Sequence, residues 1–504
     1  KQNYSRLDSN TYLPTKRELN YSIKDDRNVS GNILIYHSNY QINKPLKNGF
    51  KSNEVERYSD DAFEKDSTFW SDNRQVGLSQ LEEKFITRTD SLKDIYSTEE
   101  YQNRQDSLFN KFSWWFPLRG YGRRNSFKGY EWWVGGIFEQ MNFFGVGGYR
   151  HRLPGYFTKR LKDGTKINTD ISLDYGFANK DITGSIGAGY TYFPKKFIRT
   201  YIQVSDDYRR INPNPSFTEA FSFSNYTRRK SIVVKQRMEI FNGLMAELSL
   251  DFSDQIPIDH LKSDPWADSL FGGLTEAVEF DRYTKSEIKL NLQYTPFQKY
   301  SIKKNVKYIK ENNWPTFKMT YRKGIPVLLN SEVNFDYIEL SVGDEMKLAR
   351  MGTFRWHTNA GSFINQRNLR VLEWKYFRGS DIGFFSDPLA SFQLLGLTLN
   401  TPNEYFQGSF IHHFDGAILN KVPLINKLKL QLAGGAGTLL IPDDNLAHIE
   451  FFAGLERSFK LWGELVRFSL FGVTASNPFT TNTFDYTVKF GISGYFPYRD
   501  KWDW

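Results

Sequence analysis

TFDYTVKFGISGYF, residues 483–496, carries the reading that decides the fold. Side chains of an extended strand alternate faces with a period of two. Phe484, Tyr486, Val488, Phe490, Ile492 and Phe496 therefore share one face, and Asp485, Thr487, Lys489 and Ser493 share the other. The first face suits hydrocarbon and the second a polar interior, as in a strand of a transmembrane β-barrel. The pattern recurs upstream. Ile171, Leu173, Tyr175 and Phe177 alternate with Ser172, Asp174 and Gly176. Leu244, Ala246, Leu248, Leu250 and Phe252 alternate with Glu247, Ser249, Asp251 and Ser253, and Ile288, Leu290, Leu292 and Tyr294 with Glu287, Lys289, Asn291 and Gln293. Leu428, Leu430 and Leu432 alternate with Lys427, Lys429 and Gln431, and Val466, Phe468 and Leu470 with Arg467 and Ser469. One such segment also fits a soluble sandwich; a long series without helices between them favours a closed barrel.

Composition agrees. The 504 residues contain no run of the roughly 20 apolar residues that a spanning helix needs. Mean hydropathy is −0.55, but alternation dilutes hydropathy in barrels. Aromatic residues form 17% of the chain, with 29 Tyr and 43 Phe, an excess that two interfacial girdles would absorb. Cysteine is absent, which removes disulfides, thiolate metal sites and a Cys nucleophile. The formal charge of +9 comes without a nucleic-acid motif, so it suits lipid phosphates or is a plain excess of Lys. The first residue is Lys1 rather than Met, which reads as a chain whose signal peptide has been removed.

Residues 1–128 are polar and poor in long alternation, and are expected to form a small, partly helical periplasmic segment packed under or partly inside the barrel mouth. Asn32 to Tyr40 reads as a strand. Leu78 to Phe112 reads as two helices, with Thr98, Glu99 and Glu100 starting the second. Trp114, Trp115 and Phe116, followed by Pro117, read as an interfacial anchor. From 129 onward a β-barrel is expected, with spans at 130–140, 142–152, 167–177, 181–193, 196–207, 219–227, 231–242, 244–254 and 281–294. Further spans are expected at 314–323, 331–343, 345–357, 404–416, 427–440, 446–457, 464–474 and 483–496. Even strand numbers are the rule in bacterial single-chain barrels, so about 16 strands are expected. Phe193-Pro194-Lys195-Lys196 and Asn242-Gly243 read as periplasmic turns, and the connections near 208–218, 255–280 and 475–482 as outward loops. The stretch 365–403 is too long and irregular for a hairpin.

That stretch holds Trp374-Lys375-Tyr376-Phe377-Arg378-Gly379-Ser380. Its Arg-Gly pair on a late loop resembles the Omp85 barrels; the resemblance implies that Phe377, Arg378 and Gly379 belong to a loop folded into the lumen, with Arg378 paired to wall carboxylates. Phe before Arg378 and Ser after Gly379 depart from that family's pattern. The 128 residues ahead of the barrel would hold one POTRA module at most. A closer resemblance rests on Tyr376 to Gly379, His412-His413-Phe414-Asp415-Gly416, Leu419 to Leu424 and Phe451 to Glu456, with Phe69-Trp70, Leu78, Glu82 and Asp90-Ser91-Leu92 upstream. These are similar to an uncharacterised outer-membrane family of Bacteroidota that joins a carboxypeptidase-like regulatory β-sandwich to a C-terminal barrel. The resemblance covers most of residues 60–504 and implies a location, not an activity.

His412 and His413 are adjacent, so a strand sends them to opposite faces and they cannot share a site. Asp443-Asp444-Asn445 reads as a hairpin turn rather than a Ca²⁺ loop. No catalytic set, cofactor or metal is expected, and the chain reads as a non-enzymatic outer-membrane component of an envelope-biogenesis or transport assembly with a plugged lumen. Its expected partners are outer-membrane lipid, lipopolysaccharide and other envelope proteins, not nucleic acid. An open-lumen channel is the alternative, and a surface hydrolase a third reading.

Overall fold

A computed structural model describes residues 1–6, 11–23, 29–38, 40, 42, 53–58, 65–74, 77–216, 225–261, 278–303, 305–396, 398–461, 464–477 and 484–494. The chain divides into two compact units, Lys1–Ser97 and Thr98–Trp504. In the first unit Gln2–Arg6, Tyr12–Ile23 and Val29–Tyr36 form an antiparallel three-stranded meander. The last of these starts ahead of the expected Asn32. Helix α1, Ser67–Asn73, is capped by Asp66, whose carboxylate accepts from the Phe69 amide at 2.9 Å. Helix α2, Gln80–Ser97, opens on a reciprocal cap: the Ser79 amide donates to Glu82 at 2.8 Å and the Glu82 amide to the Ser79 hydroxyl at 3.3 Å.

The second unit begins with α3, Glu99–Asn110, capped by Thr98, so the helical stretch splits where Thr98 and the two glutamates predict. The boundary between compact units thus lies at Ser97, not at 128. Asp106 of α3 is buried, accepting from Arg124 Nε at 2.9 Å and from the Ser126 amide at 2.6 Å.

The barrel follows. Its strands are β1 Gly120–Asn125, β2 Tyr130–Gly135, β3 Met141–Gly145, β4 Gly148–Arg160, β5 Lys166–Gly176, β6 Asp181–Phe193, β7 Ile198–Arg210, β8 Tyr226–Phe241 and β9 Leu244–Ile256. They continue with β10 Tyr283–Tyr294, β11 Thr316–Gly324, β12 Asn334–Lys347, β13 Thr353–Asn368, β14 Tyr405–His413, β15 Gln431–Ile441, β16 Leu446–Leu461, β17 Glu464–Ser476 and β18 Asp485–Gly494. Successive spans pair antiparallel, and the ring order brings β18 round beside β1. It is a transmembrane antiparallel β-barrel, with isoleucines and leucines such as Ile171, Leu173, Ile186 and Leu470 about half exposed on its outer face.

Among the described residues the count is eighteen strands, not about 16. β2 and β3 both pair with β4 on either side of a one-turn helix, Ile137–Gln140, so they form one broken span. β1 is a span the alternation missed: its GYGRRN carries no apolar series. The expected span 219–227 is not a separate strand; Tyr226 and Thr227 open β8, and 219–224 lie outside the described residues. Seventeen alternating spans leave the first and last running the same way, so pairing of β18 with β1 is parallel, and slightly weaker per residue. Expectation and structure agree at both ends of 181–193. They differ at 427–430, where Ile425–Leu428 is a 3₁₀ turn and the strand starts at Gln431.

Strand alternation sends the 211–225, 257–282, 325–333 and 369–404 connections to one end of the barrel, here the loop end. Asn242-Gly243 and the Pro194–Lys196 turn lie at the other, where Gly243 takes φ +89° and Phe197 closes its turn at φ +52°. The turn end also bears the hairpin Tyr300–Lys303 and Val306–Ile309, which the alternation left unassigned; its buried Lys307 ammonium donates to both Glu239 oxygens at 2.6 Å.

Candidate functional site: a plug anchored in the wall

The connection between β13 and β14 enters the lumen. It carries the turn Val371–Glu373 and a short ladder of Lys375–Arg378 against Thr398–Thr401. Glu373 is 3% exposed and is the hub of its first anchor. One carboxylate oxygen accepts from the Tyr283 hydroxyl at 3.0 Å; the other accepts from Lys285 at 3.0 Å and Arg322 at 2.7 Å. Arg322 also grips Glu287 through two nitrogens at 2.9 and 3.0 Å, and Lys285 reaches Glu287 at 3.0 Å. Two cations and two carboxylates thus balance in a nearly dry site, which is how buried charge becomes tolerable. Two residues on, Lys375 pairs with Glu339 of β12 at 2.5 Å, and Tyr337 donates to the same carboxylate at 2.9 Å.

Phe377 is buried among Tyr283, Phe335, Tyr337, Tyr405 and Phe392. Its carbonyl accepts from Asn212 of the β7–β8 connection at 3.1 Å. Arg378, expected to reach wall carboxylates, instead turns back within the loop, donating to Asp381 at 2.8 Å and Ser386 at 3.4 Å. The tether exists, but Glu373 and Lys375 make it. Arg378 ties the stretch up to Ser386 together.

A second anchor holds the far limb of the loop on β16, β17 and β18. The Gln393 amide donates to both Glu450 oxygens at 3.0 and 2.8 Å. Lys489, 4% exposed, donates to the carbonyls of Asp381 at 2.6 Å and Gln393 at 2.5 Å. Phe385 stacks on Phe471, with centroids 3.8 Å apart and planes 12° apart, and meets Phe452 edge-on. Beside these polar groups the wall's inner face carries an apolar patch: Ile411, Ala433, Phe452, Phe471 and Val473 are buried beneath Phe385 and Leu394.

Between the anchors the plug enters the sheet itself. The Phe385 amide donates to the Phe490 carbonyl and the Phe490 amide to the Gly383 carbonyl, both at 2.9 Å, making a parallel bridge on the edge of β18 that β17 does not use. β1 has six residues against ten in β18, so part of that edge runs past β1. Gly383–Phe385 supplies a fragment of wall there, with Ile382 and Phe384 at least half exposed.

The other expected residues are placed as follows. Phe484, Tyr486, Val488, Phe490 and Ile492 are exposed on the outer face of β18 or its approach; Phe496 lies outside the described residues. Trp114 and Trp115 are exposed and Phe116 half-buried, directly ahead of β1 rather than of the strand at 130. His412 faces out and contacts the Met351 carbonyl, whereas His413 faces in, bonded to Glu456 at 2.8 Å and Arg467 at 3.0 Å. Asp444 accepts from Thr401 at 2.6 Å and Asn403 at 2.7 Å, clasping the foot of the plug. Among the described residues no group of three or more His, Asp or Glu is arranged to hold a metal ion. Glu373 went unnoticed in the sequence; the available signal was a lone acid within the apolar Val371-Leu372-Glu373-Trp374.

The model of the family of unknown function DUF5686, C-terminal domain, matches residues 115–455. The chain belongs to the DUF5686 family. The matched part of this DUF5686 chain runs from just ahead of β1 into β16, and so contains the whole plug. No curated protein matches it significantly. Among solved structures it is similar to BamA from Haemophilus ducreyi lacking POTRA domains 1-3, at 10% identity and a TM-score of 0.40, over 95% of this chain and 89% of that one. It is also similar to Wzi, an outer-membrane protein involved in group 1 capsule assembly in Escherichia coli and a carbohydrate-binding β-barrel, at 9% identity and a TM-score of 0.30, over 71% and 76%. At such scores neither likeness extends to a function.

Proposed function

We propose that this protein is a permanently plugged outer-membrane barrel that serves as a non-enzymatic component of an envelope-biogenesis or transport assembly. A spanning sheet with an apolar outer face suits lipid, and barrels of this kind belong to outer membranes. The observation that carries the reading is the plug's double fixation: Glu373 and Lys375 on one sector of wall, Gln393 and Phe385 on another, with Gly383–Phe385 inside the sheet. A solute path would need the plug to loosen from both sectors. In this picture the helical segment before β1 is periplasmic, envelope proteins are the partners, and Trp114 and Trp115 sit at a membrane interface. The proposal also includes an origin in Bacteroidota and a regulatory sandwich ahead of the barrel in relatives.

Planar-bilayer conductance tests it. Intact protein is expected to pass no steady current, and Glu373→Ala combined with Lys489→Ala to pass current. Large steady currents from the intact protein would sink the plugged reading in favour of an open channel.

A further inference from the structure

The connection from β11 to β12 carries an unusual tip. Ile325-Pro326-Val327-Leu328-Leu329 is apolar, yet Val327 is 83% and Leu329 65% exposed. Val327, Leu329 and Asn330 sit at φ +70°, +51° and +60°, a conformation that a β-branched valine rarely adopts. Outward hydroxyls of β10 hold the tip there. Ser286 donates to the Leu328 carbonyl at 2.7 Å, and Thr284 donates to the Asn330 carbonyl. The Ser286 amide donates to the Ser331 hydroxyl at 3.0 Å. Strain of this kind persists only where the surroundings impose it. The tip is therefore bent onto the outer wall rather than left projecting from the rim.

Beside it lies a groove of about 800 Å³ on the outer face. Its floor is one cross-strand row of apolar residues, Ile171, Ile186, Val204, Ile232 and Phe252, with Leu329 at the end. The next row toward the loop end is charged: Asp206, Lys230 and Asp254 lie in register on β7, β8 and β9. Arg228 holds Asp206 through two nitrogens at 2.9 Å, and Arg282 holds Asp254 at 2.9 and 2.6 Å. Three cations thus meet two carboxylates. The Lys230 side chain is 53% exposed and stands 3.7 Å from Asp206, and that of Arg282 is 64% exposed. An apolar trough that ends at a net-positive rim matches one class of ligand, an acyl chain with an anionic head.

We propose that this groove binds a phosphate-bearing membrane lipid, its acyl chain along Ile186, Val204 and Ile232 under Leu329, and its phosphate at Lys230, Arg228 and Arg282. This rests on the membrane placement above but not on the plug. Lipid phosphate gains about 1 kcal/mol per nearby Lys or Arg, so removing two cations predicts roughly a thirtyfold loss of affinity.

Native mass spectrometry of the detergent-extracted full chain tests it, with heat-modifiable gel mobility as the folding control. The probes are a bisphosphorylated lipid A, the same glycolipid without phosphates, and inorganic pyrophosphate. One lipid A per chain is expected on the native protein, about thirtyfold weaker on folded Lys230→Ser/Arg282→Ser, and weaker on folded Leu329→Asp. Equal retention of the dephosphorylated glycolipid would overturn the phosphate rim. Pyrophosphate retained as well as lipid A would overturn the acyl trough. If no lipid is retained, or both variants bind as the native protein does, the site is wrong. Conductance decides the plugged lumen and retained mass decides this groove, so the two readings fail separately.

Discussion

The sector of β5–β9 and the sector of β14–β18 are built on the same alternation but line the bore differently. In the first, the inward row holds Ser172, Ser185, Ser205, Ser231 and Ser253 in register, beside Asp170, Tyr201 and Arg229. In the second, Ile411, Ala433, Phe452, Phe471 and Val473 point inward and are buried. Period two fixes which residues share a face in both sectors; it does not fix what that face touches. The outer face is apolar through the middle of both sectors, whereas the inner face meets polar side chains or the plug according to position. The lesson concerns the plug as much as the wall. Between the two sectors, β10 and β11 hold Glu373 by charge, whereas the apolar patch on β16 and β17 holds Phe385, so the two ends of the loop are fixed by different physics.

Four measurements would break or sharpen this contrast. The largest expected effect is at the charged anchor. Glu373→Ala leaves Lys285 and Arg322 on Glu287, with Asp251 3.7 Å from Lys285, and removes the carboxylate that ties the loop to them, at a cost of about 3–5 kcal/mol. Its unfolding midpoint in detergent should fall well below that of the native protein; an unchanged midpoint would mean that the plug is not held there. Next is the lipid face. Ile202→Arg on β7 should cost about 2–4 kcal/mol near the bilayer midplane, while Gln203→Arg on the inward side should cost far less. Urea titration in liposomes compares them, and equal costs would refute the assignment of faces.

The apolar anchor comes third. Phe385→Ala removes the ring stacked on Phe471, and because Phe385 is only half-buried the loss should stay near 2 kcal/mol, below the roughly 3–5 of a fully buried ring. Raising the salt concentration should leave this difference unchanged, as apolar contacts predict.

The smallest effect is expected in the first unit. The Phe69 amide and the Thr68 hydroxyl hold the Asp66 carboxyl below its ordinary value, and the Ser79 hydroxyl and amide do the same for Glu82. Both groups favour the ionised, capped state. Their contribution is complete above the ordinary carboxylate range and is lost as pH falls through the lowered values. Amide exchange at Phe69 and Ser79, the amides these carboxylates hold, should therefore accelerate in acid, and a rate that follows only the intrinsic pH dependence would contradict the caps.

Legibility followed the locality of each signal. The strand at 181–193 was readable to the residue because its alternation is continuous and a Pro closes it. The break at Thr98 was readable because a cap is decided within four residues. β1 was not, since GYGRRN gains its place only by pairing with β2. The expected spans 331–343 and 345–357 are displaced because the turn at Ala349–Met351 lacks the usual Pro or Asn-Gly mark, and β13 runs to Asn368. Arg378 was marked and Glu373 missed for the same reason. A loop's partners across a lumen leave no trace in its neighbours along the chain.

The sequence by itself determined that this chain makes strands with one greasy face, that a helix begins after Thr98, and that no thiol chemistry is available. Those properties depend on residues two to four apart. Only the tertiary structure decided that 285, 322 and 373 meet, that the plug lends three residues to the wall, and that an odd number of spans sets β18 parallel to β1. Such contacts join residues tens to more than a hundred positions apart, and chain entropy leaves them unspecified until the ring assembles.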